Sequence, residues 1–147
     1  IITEFVIIGS MFLPDEVAAK AVVPALRASV ASKLINFHGM TQNEAAKKLN
    51  ITQAAISNYV RKTRGGALNL EGIKDVQQAT SEIATLLTKD KINYKEILMK
   101  FSQVSEHIKS NRLMCDYHMQ LEPDIDLEDC DACDPHNLVQ IRQDTQS

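Results

Sequence analysis

Apolar residues recur along this chain at steps of three and four, the spacing of a helix with one buried face. The pattern is clearest over residues 71–88 and 93–109, where the apolar series reads Ile73, Val76, Thr80, Ile83, Leu87, Tyr94, Ile97, Phe101, Val104 and Ile108. Asp90 interrupts this heptad-like series, and Asn93 with Glu96 forms a capping-box pattern that starts a new helix. The pattern favours a helical hairpin over one continuous coiled coil. Either form offers a narrow apolar stripe for a partner subunit, whereas in a monomer the two helices would pack only on each other.

The beginning of the chain predicts two further helices. Proline and two acids follow Leu13, which is typical of a helix start. Pro24 has no N–H to donate, so we expect it to break or kink this helix. A second helix then runs from about residue 24 to residue 36. Its expected core stripe comprises Leu26, Val30, Leu34 and Phe37. No parallel-sheet pattern is present, so the expected fold class is all-α.

The stretch 41–62, TQNEAAKKLNITQAAISNYVRK, predicts two short helices joined by a tight turn. Thr41 and Glu44 have the spacing of a capping box. Asn50 stands where the first helix must end, and asparagine tolerates a left-handed backbone. Thr52 is placed to cap the second helix.

The second of these helices has one apolar and one polar face. Ile56, Tyr59 and Val60 lie on the apolar side. The polar side and the basic flank hold Gln53, Ala54, Ser57, Asn58, Arg61, Lys62 and Arg64. Glutamine and asparagine pair with adenine, alanine contacts a thymine methyl, and arginine or lysine reaches guanine or phosphate. This face is therefore suited to the major groove of double-stranded DNA.

Residues 41–62 resemble the helix-turn-helix of lambda-repressor-like (Cro-type, XRE) transcription regulators. The resemblance implies that Gln42 opens the motif and braces Gln53 against a base. It departs from the family at Asn50, where a turn glycine is usual. It also implies that Thr52 and the polar face just described contact DNA, with the protein acting as a homodimer on a two-fold site. Residues 13–35 resemble the leading helix of an archaeal subfamily of small regulators.

Charge is distributed unevenly along the chain. The whole sequence carries a net charge of −3, but residues 27–64 contain seven cations and one anion. Residues 115–147 contain nine anions and one cation. DNA binding is therefore expected only at the basic segment, and the acidic end is available to a protein partner.

All three cysteines lie in the acidic last third of the chain. Cys115 and His118 form one pair with two residues between them, and Cys130 and Cys133 form another. Such paired knuckles can supply four ligands to a tetrahedral metal, and thiolates with imidazole suit zinc or an iron–sulfur cluster. Base rates favour zinc, with the cluster as the close alternative. His136 could replace His118 as a ligand.

Two other interpretations of the cysteines stay open. Cys130 and Cys133 could form a redox disulfide, although no thioredoxin-like strand–helix context accompanies them. All three thiols could instead be free in a disordered tail.

The sequence divides into five segments. Residues 1–10 are expected to be a non-native leader, 11–66 a DNA-binding domain, 67–112 a helical dimerisation segment, 113–136 a metal-binding module and 137–147 a flexible tail. No stretch reaches the roughly 18 apolar residues of a membrane span, and a cytoplasmic location is the default expectation.

These features favour a sequence-specific DNA-binding transcription regulator whose metal module responds to redox or metal state. The alternative is a protein-interaction adaptor that uses the helix-turn-helix for packing and has a structural zinc knuckle. An enzyme is not expected, because no catalytic triad, glycine-rich phosphate loop or carboxylate pair stands out.

Overall fold

The computed structural model describes residues 11–62 and 64–137, and all regular structure within them is helical. The expected all-α class is therefore confirmed. The predicted leader, residues 1–10, and all but the first residue of the predicted tail lie outside the described residues. None of the described helices has the length and hydropathy that a membrane-spanning segment requires.

Seven α-helices and one π-helical turn follow one another along the described chain. They are α1 Pro14–Val17, the π-helical turn Ala18–Val22, α2 Val23–Asn36, α3 Gln42–Leu49, α4 Gln53–Val60, α5 Lys74–Leu87, α6 Tyr94–Ser110 and α7 Cys115–Leu121. Helices α5 and α6 pack against each other as a hairpin, as the interrupted heptad predicts.

Pro24 is expected to break or kink the first helix, but the helix does not end there. The chain stays helical through Val22 and Val23, and the π-helical turn lies directly before α2, where Pro24 is in the first turn. The N–H of Val23 bonds to the carbonyl of Ala18, one residue further back than in an α-helix. The wider turn accommodates the missing donor, so the expected break is a change of helix type.

Helix α2 lies at the centre of the fold. It packs against the π-helical turn, α3, α4 and α5. Four core side chains are almost completely inaccessible to solvent: Val30 and Leu34 on α2, and Ile83 and Leu87 on α5. The stripe along α5 and α6 is therefore covered largely within one chain, and the dimerisation role of residues 67–112 stays a prediction.

Thr80 fits the α5 stripe because its hydroxyl has partners. The side chain is fully buried, and Oγ1 donates to the carbonyl oxygen of Val76 at 3.0 Å. The hydroxyl of Ser29 on α2 lies 3.1 Å from it. A buried hydroxyl with partners avoids the cost of an unpaired polar group, which explains a polar residue in an apolar seam.

Phe37 is not part of the core, contrary to the pattern-based expectation. Its side chain is 79% exposed. Helix α2 ends at Asn36, so the residue that would continue the stripe lies just beyond the last helical turn.

Gly65 brings the end of the helix-turn-helix against α2. Its φ is +81°, and a Cβ placed there would lie 2.7 Å from the carbonyl oxygen of Pro24 and 2.9 Å from Cβ of Ala28. Only glycine fits both the backbone conformation and this close approach. The chain at Gly65 is therefore packed tightly against α2.

Thr41→Ala should reduce the free energy of unfolding by about 0.5–2 kcal/mol because it removes an N-cap. The hydroxyl of Thr41 accepts from the N–H of Glu44 at 3.2 Å, and the N–H of Thr41 donates to the carboxylate of Glu44 at 2.7 Å. Urea denaturation followed by circular dichroism measures the change. Thr85→Ala, at an exposed position inside α5, is the matched control and should be neutral or slightly stabilising. Equal losses at both positions would contradict the capping role.

The same cap predicts a pH dependence. The hydrogen bond from the N–H of Thr41 lowers the pKa of the Glu44 carboxyl. A lowered folded-state pKa contributes stability above the unfolded-state pKa, and that contribution is lost as pH falls through the folded-state value. The stability difference between wild type and Glu44→Gln should therefore be full at neutral pH and shrink on acidification.

Candidate nucleic-acid interface and cysteine pocket

The helix-turn-helix forms because three short-range signals agree. The reciprocal bonds of Thr41 and Glu44 begin α3. Asn50 ends it in the left-handed region with φ 54° and ψ 44°. The hydroxyl of Thr52 then accepts from the N–H of Ala55 at 3.1 Å and caps α4. The two helices are thus fixed at both ends of the turn.

Small residues on α3 let α4 pack closely against it. Ala45 and Ala46 are buried on α3, and Ile56 on α4 is fully buried in the same core. Ile51 in the turn is partly buried against this core. The opposite side of α4 is left toward solvent.

Gln42 and Gln53 are brought together at the start of the two helices. The side-chain amide of Gln53 donates to Oε1 of Gln42 at 2.9 Å. Gln53 is the first residue of α4 and is exposed, whereas Gln42 is half-buried. This bond restricts the Gln53 side chain and leaves its own carbonyl oxygen for another partner, which is the geometry expected of a braced reading residue.

The remaining polar positions of α4 lie along the same exposed side. Ala54 is exposed, and Ser57 and Asn58 are half-buried. The guanidinium of Arg61 lies 3.4 Å from the carbonyl oxygen of Ser57 and 3.4 Å from Oδ1 of Asn58. Arg61 is therefore supported from within α4, a contact that the sequence pattern does not reveal.

The two other cations of the basic flank have different surroundings. Lys62, at a φ of 57°, makes an exposed ion pair with Glu71 at 3.8 Å. The guanidinium of Arg64 stacks over the ring of Tyr59, 5.7 Å from its centroid. Stacking on a buried tyrosine orients Arg64, whereas an exposed ion pair such as that of Lys62 exchanges readily with other anions.

The three cysteines and His118 line one pocket of about 120 Å³ between the end of α6, α7 and the loop that follows α7. Cys115, Cys130 and Cys133 are all free thiols and all half-buried. Thiols and imidazole around a single cavity are the donor types that zinc and iron–sulfur clusters take. His136 is exposed and is not among the residues that line this pocket.

The three thiols and the imidazole of His118 line one pocket, but they are not arranged as a closed metal site. Within the described part of the chain, no group of three or more His, Cys, Asp or Glu side chains has a metal-holding arrangement. The chemistry of the donors nevertheless fits a thiophilic metal. Metal binding stays a prediction.

Arg112 holds the cysteine-bearing loop, a role the sequence pattern does not signal. It sits in the turn between α6 and α7 with a φ of 60°. Its guanidinium donates to the carbonyl oxygen of Cys130 and, at 2.8 Å, to that of Glu128. These bonds fasten the loop beside Cys115.

The surroundings of the pocket both raise and lower the pKa values of its thiols. Burial raises the pKa of Cys115, and the nearby Arg112 opposes this. Burial and the neighbouring Cys115 raise the pKa of Cys133, and Lys109 opposes this. Because a metal takes thiolates, metal binding here would displace protons.

His118 is held by a buried acid that the sequence analysis did not single out. Nε2 of His118 lies 2.9 Å from Oε2 of Glu122, whose side chain is almost completely buried. The other carboxylate oxygen accepts from the N–H of Phe12 at 2.8 Å. The four-residue step from His118 to Glu122 along one helix face was the available signal.

The similarity of this chain to known proteins lies in the helix-turn-helix. No curated protein and no solved structure matches the chain. A family model described as "Helix-turn-helix" matches residues 38–65, which contain α3, the turn and α4. This match supports the resemblance to XRE-type regulators, and residues 38–65 are accordingly the DNA-binding helix-turn-helix of a transcription regulator.

Proposed function

We propose that the protein binds a specific two-fold DNA site as a homodimer and that its cysteine module holds a metal. The observation that carries the DNA part is the hydrogen bond between Gln42 and Gln53. It presents a restrained amide at the start of an exposed helix, where bidentate pairing with adenine is available.

The other polar-face residues of α4 and the cations of its basic flank have complementary roles. Ser57 and Asn58 face neighbouring bases, and Ala54 allows close approach to a thymine methyl. Arg61, Lys62 and Arg64 contact phosphates, which position the helix without reading sequence. Thr52 caps α4 and directs its N-terminus toward the DNA backbone. The acidic residues beyond Cys115 stay away from phosphate and can contact a protein partner.

Two copies are needed because one recognition helix reads only a half-site. The operator would therefore be a two-fold repeat with half-sites about one helical turn apart. Sedimentation with and without such a site tests this. One chain bound per half-site supports the homodimer, and a single chain on the whole site contradicts it.

The first experiment is selection of bound sequences from random duplex DNA by the full chain. A convergent, two-fold symmetric sequence is the expected result. Binding without sequence preference, or no binding, would favour a protein-interaction adaptor instead. Salt dependence of the affinity then reports how many phosphates the basic flank neutralises.

The metal would be held by Cys115, Cys130 and Cys133, with His118 as the fourth donor. A bound zinc ion would supply folding energy by joining the acidic loop to α7, and a cluster would add sensitivity to oxidation. We further propose that loss of the metal lowers DNA affinity, so that the protein responds to redox or metal state. Metal analysis with an absorption spectrum distinguishes zinc from iron and sulfide.

His118→Ala should weaken zinc binding by at least about tenfold. Loss of a residue that only supports a ligand already costs about that much affinity, and loss of the ligand itself should cost no less. Zinc bound per chain and competition with a chromophoric chelator measure the affinity. His136→Ala is the matched control, because it removes an exposed histidine from the same module. If His136→Ala loses affinity and His118→Ala does not, the fourth ligand is His136.

A further inference from the structure

His118 lies beside the cysteines and is also bonded to a buried carboxylate. The ring is mostly buried, and one nitrogen, Nε2, already has the Glu122 carboxylate as its partner at 2.9 Å. His118 also lines the pocket that the three thiols share. An imidazole bound on one side has only its other nitrogen to offer to a metal.

Glu122 is itself held in place by the rest of the fold. Only 4% of the residue is exposed, and it ends α7 by donating its own N–H to the carbonyl oxygen of His118. One carboxylate oxygen accepts from the N–H of Phe12, a residue distant in sequence, and this leaves the other for His118. A buried carboxylate with two donors is oriented on both sides, so it can impose an orientation on the ring.

We propose that Glu122 is a positioning residue for the metal site, fixing His118 so that Nδ1 is the nitrogen that the metal takes. The inference rests on the proposed metal site. When Nε2 carries the proton it donates to the carboxylate, and the lone pair of Nδ1 is then free for a metal. Such a carboxylate–histidine–metal arrangement sets the tautomer and strengthens the ligand.

The arrangement also links the metal site to the start of the fold. Phe12 lies two residues before α1, and Lys109, which lines the pocket, bonds Asp15 of α1 at 3.0 Å. Helix α1 continues through the π-helical turn, which packs on α2. Glu122 therefore joins His118, which lines the pocket, to the segment that leads into α1.

The decisive measurement is the nitrogen chemistry of His118 in the zinc-loaded full chain. Long-range proton–nitrogen correlation spectra of histidine-labelled protein distinguish a metal-bound Nδ1 from a metal-bound Nε2. The His118→Ala spectrum assigns the signals. We expect zinc on Nδ1 and a proton on Nε2. Zinc on Nε2, or on neither nitrogen, would overturn the proposal without requiring any variant at Glu122.

A variant pair supplies the second readout. Glu122→Gln should weaken zinc binding by about 10–100-fold, because the ring loses its carboxylate acceptor. Glu128→Gln removes the same charge from an exposed position in the loop that follows α7 and should leave the affinity unchanged. Circular dichroism of both variants checks that the helices are retained.

The outcomes separate this inference from the proposed function. If Cys115→Ser retains zinc as tightly as wild type, the metal site itself is wrong, and the role of Glu122 fails with it. If Cys115→Ser loses zinc and Glu122→Gln binds it as tightly as wild type, the metal site stands and only the positioning role is overturned.

Discussion

Ile83→Ala should lower the free energy of unfolding by about 2–5 kcal/mol, the usual cost of truncating a fully buried isoleucine. Ile83 is 0% exposed, and it lies in α5, which packs against both α2 and α6. The alanine would leave a cavity between the DNA-binding helices and the hairpin. Because α2 supports α3 and α4, we expect the helix-turn-helix to unfold together with the hairpin at a lower urea concentration.

The control for this variant is Leu98→Ala on α6. Leu98 is 66% exposed, and a substitution at such a surface position should change stability by less than about 0.5 kcal/mol. Urea denaturation followed by circular dichroism gives both values. A larger loss at Leu98 than at Ile83 would contradict the packing of α5 against α2 and would point to an intermolecular contact on the exposed side of α6.

The double variant Gln53→Ala, Asn58→Ala should weaken binding to the selected DNA site by about 30-fold or more, because each lost base contact costs about 1–3 kcal/mol. Affinity for random duplex DNA should change little, since that binding depends on phosphate contacts. The loss includes an indirect part, as Asn58 supports the guanidinium of Arg61. Competition binding against selected and random duplexes measures the ratio directly.

Lys62→Ala provides the contrasting control on the same surface. Its side chain is exposed and belongs to the basic flank. Loss of a phosphate contact should weaken both duplexes alike and reduce the salt slope by about one. If the double variant bound both duplexes as wild type does, base reading by α4 would be refuted, and an adaptor that uses these helices for packing would become the better explanation.

Local signals explain most of what could be predicted about the fold. Caps and turns act over three or four residues, so Thr41, Asn50 and Thr52 locate the ends of α3 and α4 without knowledge of the tertiary structure. Helical periodicity locates α5 and α6 equally well. Phe37 shows the limit of that pattern, because periodicity does not say where α2 stops.

The candidate sites depend more on long-range packing. Two histidines have a suitable sequence spacing from the cysteines. Only the fold shows that His118 lines the pocket and that His136 does not. The role of Arg112 needed the loop to return to the end of α6. Sequence spacing cannot reveal such contacts, because the partners are backbone carbonyl groups that every residue possesses.

By itself, the sequence determined the helical class, the capped helices and turn of the helix-turn-helix, and the clustering of thiols in the last third of the chain. These follow from short-range chemistry and from residue types. Tertiary structure alone decided that the stripe of α5 is covered by α2 and α6, that Gly65 packs on α2, and that Glu122 meets both His118 and Phe12. An apolar stripe or a buried carboxylate is compatible with many partners, and only the packing of distant segments selects one.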